Sequence, residues 1–294
     1  MAQGTIGGSN PAFRQISLGT FKITTILDGV VRRDRPESIF GTDQSADDVA
    51  ALLKANHLPT DWFVHNFVPT LVETPNERVL FDTGFGPMGR NAGNGQLTAR
   101  MQQAGYAPED VSIVVLTHMH VDHIGGLMDV DGPAFPNARY VSSKTEFDFW
   151  TSDERIGTPQ EDGGKLAQRN VLPLKDRFSF VDDGDTVVEG ITAMAAHGHS
   201  PGHMVFVLES EGQKLMLTAD TANHYVLSLQ KPDWHVVFDF DKDAAAKSRK
   251  KVFGMIADEG IPFIGHHMPF PSVGYIERLG EGFRFVSASY QFEV

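Results

Sequence analysis

Thr117-His118-Met119-His120-Val121-Asp122-His123-Ile124-Gly125-Gly126 packs four metal-capable side chains into six residues. It directly follows residues 111–116, a short apolar run broken only by Ser112 and rich in β-branched side chains, which reads as a buried strand. In an extended segment residues i and i+2 point the same way, so His118 and His120 can grip one cation from one side. A turn beginning near Val121 swings Asp122 and His123 toward a second position, and Gly125-Gly126 lets the chain fold sharply afterwards. A lone His-x-His pair is as readily an ordinary polar loop; four donors in six residues at a strand end outweigh that reading. Imidazole and carboxylate suit zinc, and with no cysteine in the chain they are the protein donors available.

Three later segments have the same strand-then-donor form. His197-Gly198-His199-Ser200-Pro201-Gly202-His203 is a glycine-punctuated loop after a strand, Asp220 ends the strand-like run 215–219, and His266-His267-Met268-Pro269-Phe270-Pro271 follows the run 261–264. Strand ends giving way to loops are where α/β folds build sites. Strand signals also fall at 21–27, 67–73, 78–81, 139–142, 186–188, 191–195 and 283–286. A hairpin is expected around Glu211-Gly212-Gln213, between the runs 204–208 and 214–218. Helical patterns fall at 97–104 and 243–258, the second with Asp243 at its start and Gly260 past its end. The glycine-containing polar stretches 89–95 and 157–164 read as loops, neither long enough for a domain linker. One α/β domain over residues 1–294, with mixed sheets, is the expectation.

Composition narrows the function. Hydrophobic residues are 41% and charged residues 21% of 294, which excludes disorder as the dominant state. Acidic residues outnumber basic ones 38 to 25, a net charge of −13 that repels phosphates, so no nucleic-acid partner is expected. Zero cysteines exclude disulfides, iron–sulfur clusters and thiol catalysis. The first ten residues carry neither a basic nor an apolar leader pattern, and no apolar run approaches the ~20 residues of a membrane span. A soluble cytoplasmic protein with no membrane partner is the expectation.

Taken together, Asp82-Thr83-Gly84, His118-Met-His120-Val-Asp122-His123, Gly198-His199-Ser-Pro-Gly202, Asp220 and His267 resemble the metallo-β-lactamase fold superfamily of metal-dependent hydrolases, over nearly the whole chain. The resemblance implies a four-layer αβ/βα sandwich of two mixed β-sheets flanked by helices. It also implies two zinc ions per chain. Site one would take His118, His120 and His199, site two Asp122, His123 and His267, with Asp220 bridging and Asp82 supporting the metal loop. His199 is preferred to His197 because Gly-His-Ser-Pro-Gly matches the family loop. His267 is preferred to His266 because His-Met-Pro-Phe-Pro resembles the lactonase and methyl-parathion-hydrolase-like branch. His57, His65, His197, His203, His235 and His266 read as surface or supporting groups.

Within the superfamily, too few residues follow His267 for the helical substrate domain of a glyoxalase II, and no room exists for the inserted domain of the RNA-processing nucleases. Class B β-lactamases place Cys or Ser where Asp220 stands. Phe67-Val-Pro-Thr-Leu-Val-Glu-Thr74 and Lys231-Pro-Asp-Trp-His235 resemble the acyl-homoserine lactonases and organophosphate hydrolases. The resemblance therefore implies quorum quenching: a metal-bridging hydroxide attacks the lactone carbonyl of an N-acyl-homoserine lactone and Asp122 shuttles the proton. The alternative on the same site is a phosphotriesterase or other esterase; a non-catalytic metal-binding module is the alternative of another class. Phe40, Trp62, Phe63, Phe67, Phe85, Met88 and Phe270 are candidates for the acyl groove. His224, where lactonases of this branch often have a tyrosine nearby, is a second catalytic candidate, able to donate to an oxyanion or leaving alkoxide. The resemblance also allows a homodimer.

Overall fold

The alternation of apolar side chains along the strands explains the layering. The structure, a computed structural model, describes residues 12–288. The first sheet orders the strands Phe13–Leu18, Phe21–Ile26, Thr70–Glu73, Arg78–Phe81, Ile113–Val115, Arg139–Ser142 and Phe178–Phe180. The second orders Thr186–Val188, Ile191–Ala195, Met204–Ser210, Gln213–Ala219, Phe263–Gly265, Val273–Leu279 and Gly282–Ser287. Both are mixed: Ile113–Val115 is parallel to both its neighbours, and Gln213–Ala219 is parallel to Phe263–Gly265.

Odd and even residues of each strand serve different cores, as a two-residue repeat requires. Ile23, Val79, Phe81, Ile113 and Val115 of the first sheet meet Phe206, Leu208, Leu215, Leu217 and Ile264 of the second in one shared core. Leu80, Val114 and Tyr140 face the other way, against Met101, Trp150 and Leu166 from the helices Leu97–Gln103, Lys144–Thr151 and Glu161–Asn170. Beyond the second sheet, Val205, Met216 and Phe263 pack on Val252, Phe253 and Ile256 of the helix Lys242–Glu259. Helix, sheet, sheet, helix is the four-layer arrangement expected. Among the described residues no helix is long and apolar enough to cross a membrane.

Several elements depart from the sequence expectation. The run 67–73 is two strands' worth of chain: among the described residues Trp62–Phe67 pairs only with Gly29–Asp34, and Thr70–Glu73 joins the first sheet. Pro69, without an N–H, stands where the chain changes sheets. The presumed loop 157–164 contains the start of the helix Glu161–Asn170. Its Gly163 is there for close approach, since a Cβ would lie 2.5 Å from the Trp150 ring. The helix read at 243–258 is Lys242–Glu259, and its N-cap is Asp241, whose carboxylate accepts from Ala244 N.

Candidate metal centre

The strand Ile113–Val115 delivers the chain to the junction between the two sheets, where Leu116 N still bonds to Val141 O at 2.8 Å. The segment then leaves the sheet with His120 extended (φ −73°, ψ 164°), and the short helix Val121–Ile124 supplies the turn expected near Val121. Asp82 holds this loop. Its carboxylate accepts from Thr117 N and Thr117 Oγ1, both at 2.9 Å, and lies 2.8 Å from His123 Nδ1. That imidazole contact fixes which ring nitrogen of His123 faces inward.

Two donor clusters result. His118 Nε2 and His199 Nε2 each lie 3.0 Å from His120 Nδ1, and Asp220 Oδ2 is 3.3 Å from His199 Nε2 and 3.8 Å from His118 Nε2. Beside them, Asp122 Oδ2 lies 3.4 Å from His123 Nε2 and 3.5 Å from His267 Nε2. Asp220 reaches this second cluster too, with Oδ1 3.2 Å from His123 Nε2 and Oδ2 2.8 Å from His267 Nε2. Donors bound ~2.0–2.1 Å from a tetrahedral cation are separated by about 3.3 Å, close to this spacing. All seven expected ligands converge, and Asp220 alone belongs to both sets. Among the described residues, His123 Nε2 and Asp220 Oδ1 are buried and, although 3.2 Å apart, have no hydrogen bond. Orphaned atoms of this kind are costly unless something binds them. The residues present therefore fit two divalent cations: His118, His120, His199 and Asp220 for one, and Asp122, His123, His267 and Asp220 for the other.

The electrostatics point the same way. Burial alone would raise the Asp122 and Asp220 carboxyls, yet the surrounding imidazoles of His123 and His267 hold both below the usual carboxylate range. For His199, burial lowers the basicity, but hydrogen bonds to Asp220 and Asp239 outweigh it and lift the ring to about 9. Likewise burial disfavours charged His123, and Asp82, Asp220 and Asp122 together raise it well above normal. Cation binding displaces such protons, because only deprotonated nitrogen ligates.

Most of the supporting contacts come from residues that the sequence did not single out. His199 Nδ1 donates to Asp239 Oδ1 at 3.0 Å, and Asp239 Oδ2 accepts from Arg249 Nη2 at 2.9 Å. Arg249 is 0% exposed and is also tied to Thr221 O and Pro232 O. The buried carboxylate of Glu146 accepts from Met119 N (2.9 Å), Trp150 Nε1 (2.8 Å), Gly202 N (2.7 Å) and Ser200 Oγ, binding the His118–His123 loop to the His199 loop. His267 Nδ1 donates to Asn66 O at 2.8 Å, His203 Nε2 accepts from Asp220 N at 3.1 Å, and Asn223 Nδ2 donates to Asp220 Oδ2 at 2.9 Å. Glu146, Asp239, Arg249 and Asn223 had no local signal, Glu146 and Arg249 lying inside ordinary helices, whereas His203 was expected as a surface or supporting group.

The aromatic candidates divide. The inward face of the strand Trp62–Phe67 presents Phe63, His65 and Phe67. Phe67 meets Phe85 at 4.7 Å and His267 at 5.4 Å between ring centroids, and His65 stacks on His267 at 4.0 Å. Phe40 and Phe63 meet each other and both meet His224, at 5.3 and 5.7 Å. Trp62 is not with them. It occupies the opposite strand face under Arg32, 4.4 Å from the guanidinium carbon to the ring centre. Met88 is 55% exposed with its sulfur against Arg169, and Phe270 makes none of these ring contacts. His57 and His197 are exposed, whereas His65, His203 and His266 are buried around the centre.

Such a fold with such a donor set is that of a metal-dependent hydrolase. The sequence profile of the Metallo-beta-lactamase superfamily matches residues 68–266, more than half of the chain, and the chain belongs to that superfamily. An N-acyl homoserine lactonase of Bacillus cereus is 25% identical over 215 residues, 67% of this chain and 79% of that one. The N-acyl homoserine lactonase AttM of Agrobacterium fabrum is 32% identical over 130 residues, 42% of this chain and 46% of its own. Among solved structures, AidC, a dizinc quorum-quenching lactonase in complex with its product N-hexanoyl-L-homoserine, superposes with a TM-score of 0.89 at 28% identity, covering 95% of this chain and 98% of that one. The hydrolase AbOPH superposes at 0.87 with 24% identity, covering 96% and 99%, a likeness of fold.

Proposed function

We propose that this chain is an N-acyl-homoserine lactonase that opens the lactone ring to the hydroxy acid, with zinc in both sites. The observation that carries the reading is the donor set, two clusters joined by Asp220 with the rings of Phe67 and Phe85 packed beside His267; Phe40, Phe63, Phe67 and Phe85 are the candidates for contact with an acyl chain. The product-bound lactonase of the same fold and the lactonase relatives support the substrate class. When bound, divalent cations supply Lewis acidity toward a carbonyl oxygen and make water acidic enough to serve as nucleophile near neutral pH.

The chain's own groups do the rest. Asp122 is held ionised and its side chain is 12% exposed, so it can accept the proton of the attacking water and pass it on. His224 Nδ1 accepts from Val226 N (3.0 Å) and Leu227 N (3.1 Å), which fixes the tautomer with the hydrogen on Nε2. Burial holds this ring neutral, with its pKa lowered to about 3. In this reading His224 is the neutral Nε2–H donor, to the developing oxyanion or to the leaving ring oxygen. The Asp82–His123 and Asp239–His199 contacts keep the rings aimed. A hydrolysis panel tests the reading: N-acyl-homoserine lactones of several chain lengths, a simple γ- or δ-lactone, and paraoxon. Ring opening strongest on the N-acyl lactones is expected; strongest turnover of paraoxon replaces the reading with a phosphotriesterase.

A further inference from the structure

Among the described residues, several buried side-chain atoms near site two have no hydrogen-bond partner, those of His65 and Asn223 included. His123 Nε2, Asp220 Oδ1 and His266 Nε2 are all buried and all without a hydrogen-bond partner. The first two are accounted for as cation ligands. The third belongs to a residue with no role so far, and leaving it unpaired in a packed interior is unfavourable by ~1–3 kcal/mol. Its position matches theirs. His266 Nε2 is 3.9 Å from Asp122 Oδ2, within the ~4.2 Å limit for two donors on opposite sides of one cation bound at about 2.1 Å. Its ring lies 4.1 Å from that of His123 and 4.9 Å from that of His267. Donor atoms of Asp122, His123, His266 and His267 all fall within 4.8 Å of one another. The backbone holds this placement, with His266 N bonded to Ala219 O at 3.2 Å and Val68 N to His266 O at 3.1 Å.

We infer that His266 is a further protein ligand of the site-two cation, so that the two sites differ in donor number. Site one offers His118, His120, His199 and the bridging Asp220, a set matched to a tetrahedral ion. Site two offers Asp122, His123, His266, His267 and Asp220, a set matched to a cation of five or six ligands. Zinc and cobalt tolerate such expansion, and manganese, iron(II) and nickel favour it. The inference concerns the metal set alone and stands whichever ester or lactone is the substrate.

Cobalt(II) reports coordination number directly, because tetrahedral centres absorb visible light far more strongly than five- or six-coordinate ones. Apoprotein would be titrated with cobalt(II), and zinc affinity measured by chelator competition, for the wild type, His266→Phe and His266→Gln. In the wild type one of the two equivalents should absorb weakly. In His266→Phe that equivalent should gain intensity several-fold and bind about 10–100-fold more weakly, with the other equivalent unchanged. His266→Gln, which keeps a donor atom and guards against misfolding of the apolar variant, should fall between. Spectra and both affinities unchanged in His266→Phe overturn the inference, as does equal weakening of both equivalents, which marks a purely structural ring.

Discussion

Asp122 and His224 divide the proposed chemistry into a base and a donor, and substitution separates them. Asp122→Asn keeps the shape and removes both charge and proton acceptance, so lactone turnover should fall by ~10²–10⁴-fold while the melting temperature changes little. Metal content must be measured on the same sample, because Asp122 also belongs to site two; near-normal turnover in fully loaded protein would remove it as the proton carrier. His224→Ala should lower the turnover rate by roughly 10²-fold with both cations retained, the usual loss for one oxyanion donor. His224→Tyr should recover part of it, as a hydroxyl also donates. Unchanged kinetics in metal-replete His224→Ala would leave that ring a packing partner of Phe40 and Phe63. At this scale four of the converging donors, His118, His120, Asp122 and His123, were legible from their short spacing, whereas His199, Asp220 and His267 were legible only through the family resemblance. Glu146 and Asp239 were not legible, because what ties them to the site is contact with the distant His199 loop, Ser200 and Gly202 for Glu146 and His199 for Asp239, and nothing local marks such a partner.

Helix Lys242–Glu259 shows how an element far from the chemistry enters it. Arg249 leaves the helix inward, fully buried, and its guanidinium fixes the carboxylate that orients His199. Asp239→Asn should keep the fold but weaken one cation equivalent by about 10–100-fold, as for other partners that aim a metal-binding imidazole. Chelator competition reads it, and two unchanged affinities would confine Asp239 to pairing with Arg249. The helix itself was legible from its apolar turns and terminal glycine. The strand Trp62–Phe67 was not. Its alternation runs straight into that of Thr70–Glu73, so periodicity alone could not divide a segment that serves two sheets. Gly163 misled in the opposite sense, since a glycine that admits Trp150 looks the same in sequence as one that ends a helix.

At the scale of the molecule, metal and fold are one system. His118, His120, Asp122 and His123 come from the first sheet's side, and His199, Asp220 and His267 from the second. Only the native packing assembles the set, so cation binding adds directly to stability, by about 4 kcal/mol for a free metal concentration a thousandfold above its dissociation constant. Stripping with a chelator should lower the melting temperature by on the order of 10 °C. Restoring two equivalents of zinc should recover it, and a midpoint indifferent to chelation would mean that the donors are preorganised without contributing. The order of the chain carries another consequence. Among the described residues every first-sheet strand lies within 13–180 and every second-sheet strand within 186–287, so the described backbone passes between the sheets once, through Val181–Asp185. A nick in that turn would yield two polypeptides, each a whole sheet with part of a ligand set. Neither holds the full ligand set alone, so metal would strengthen a reunion that the shared apolar core also favours, which makes this chain a template for a split reporter tuned by zinc.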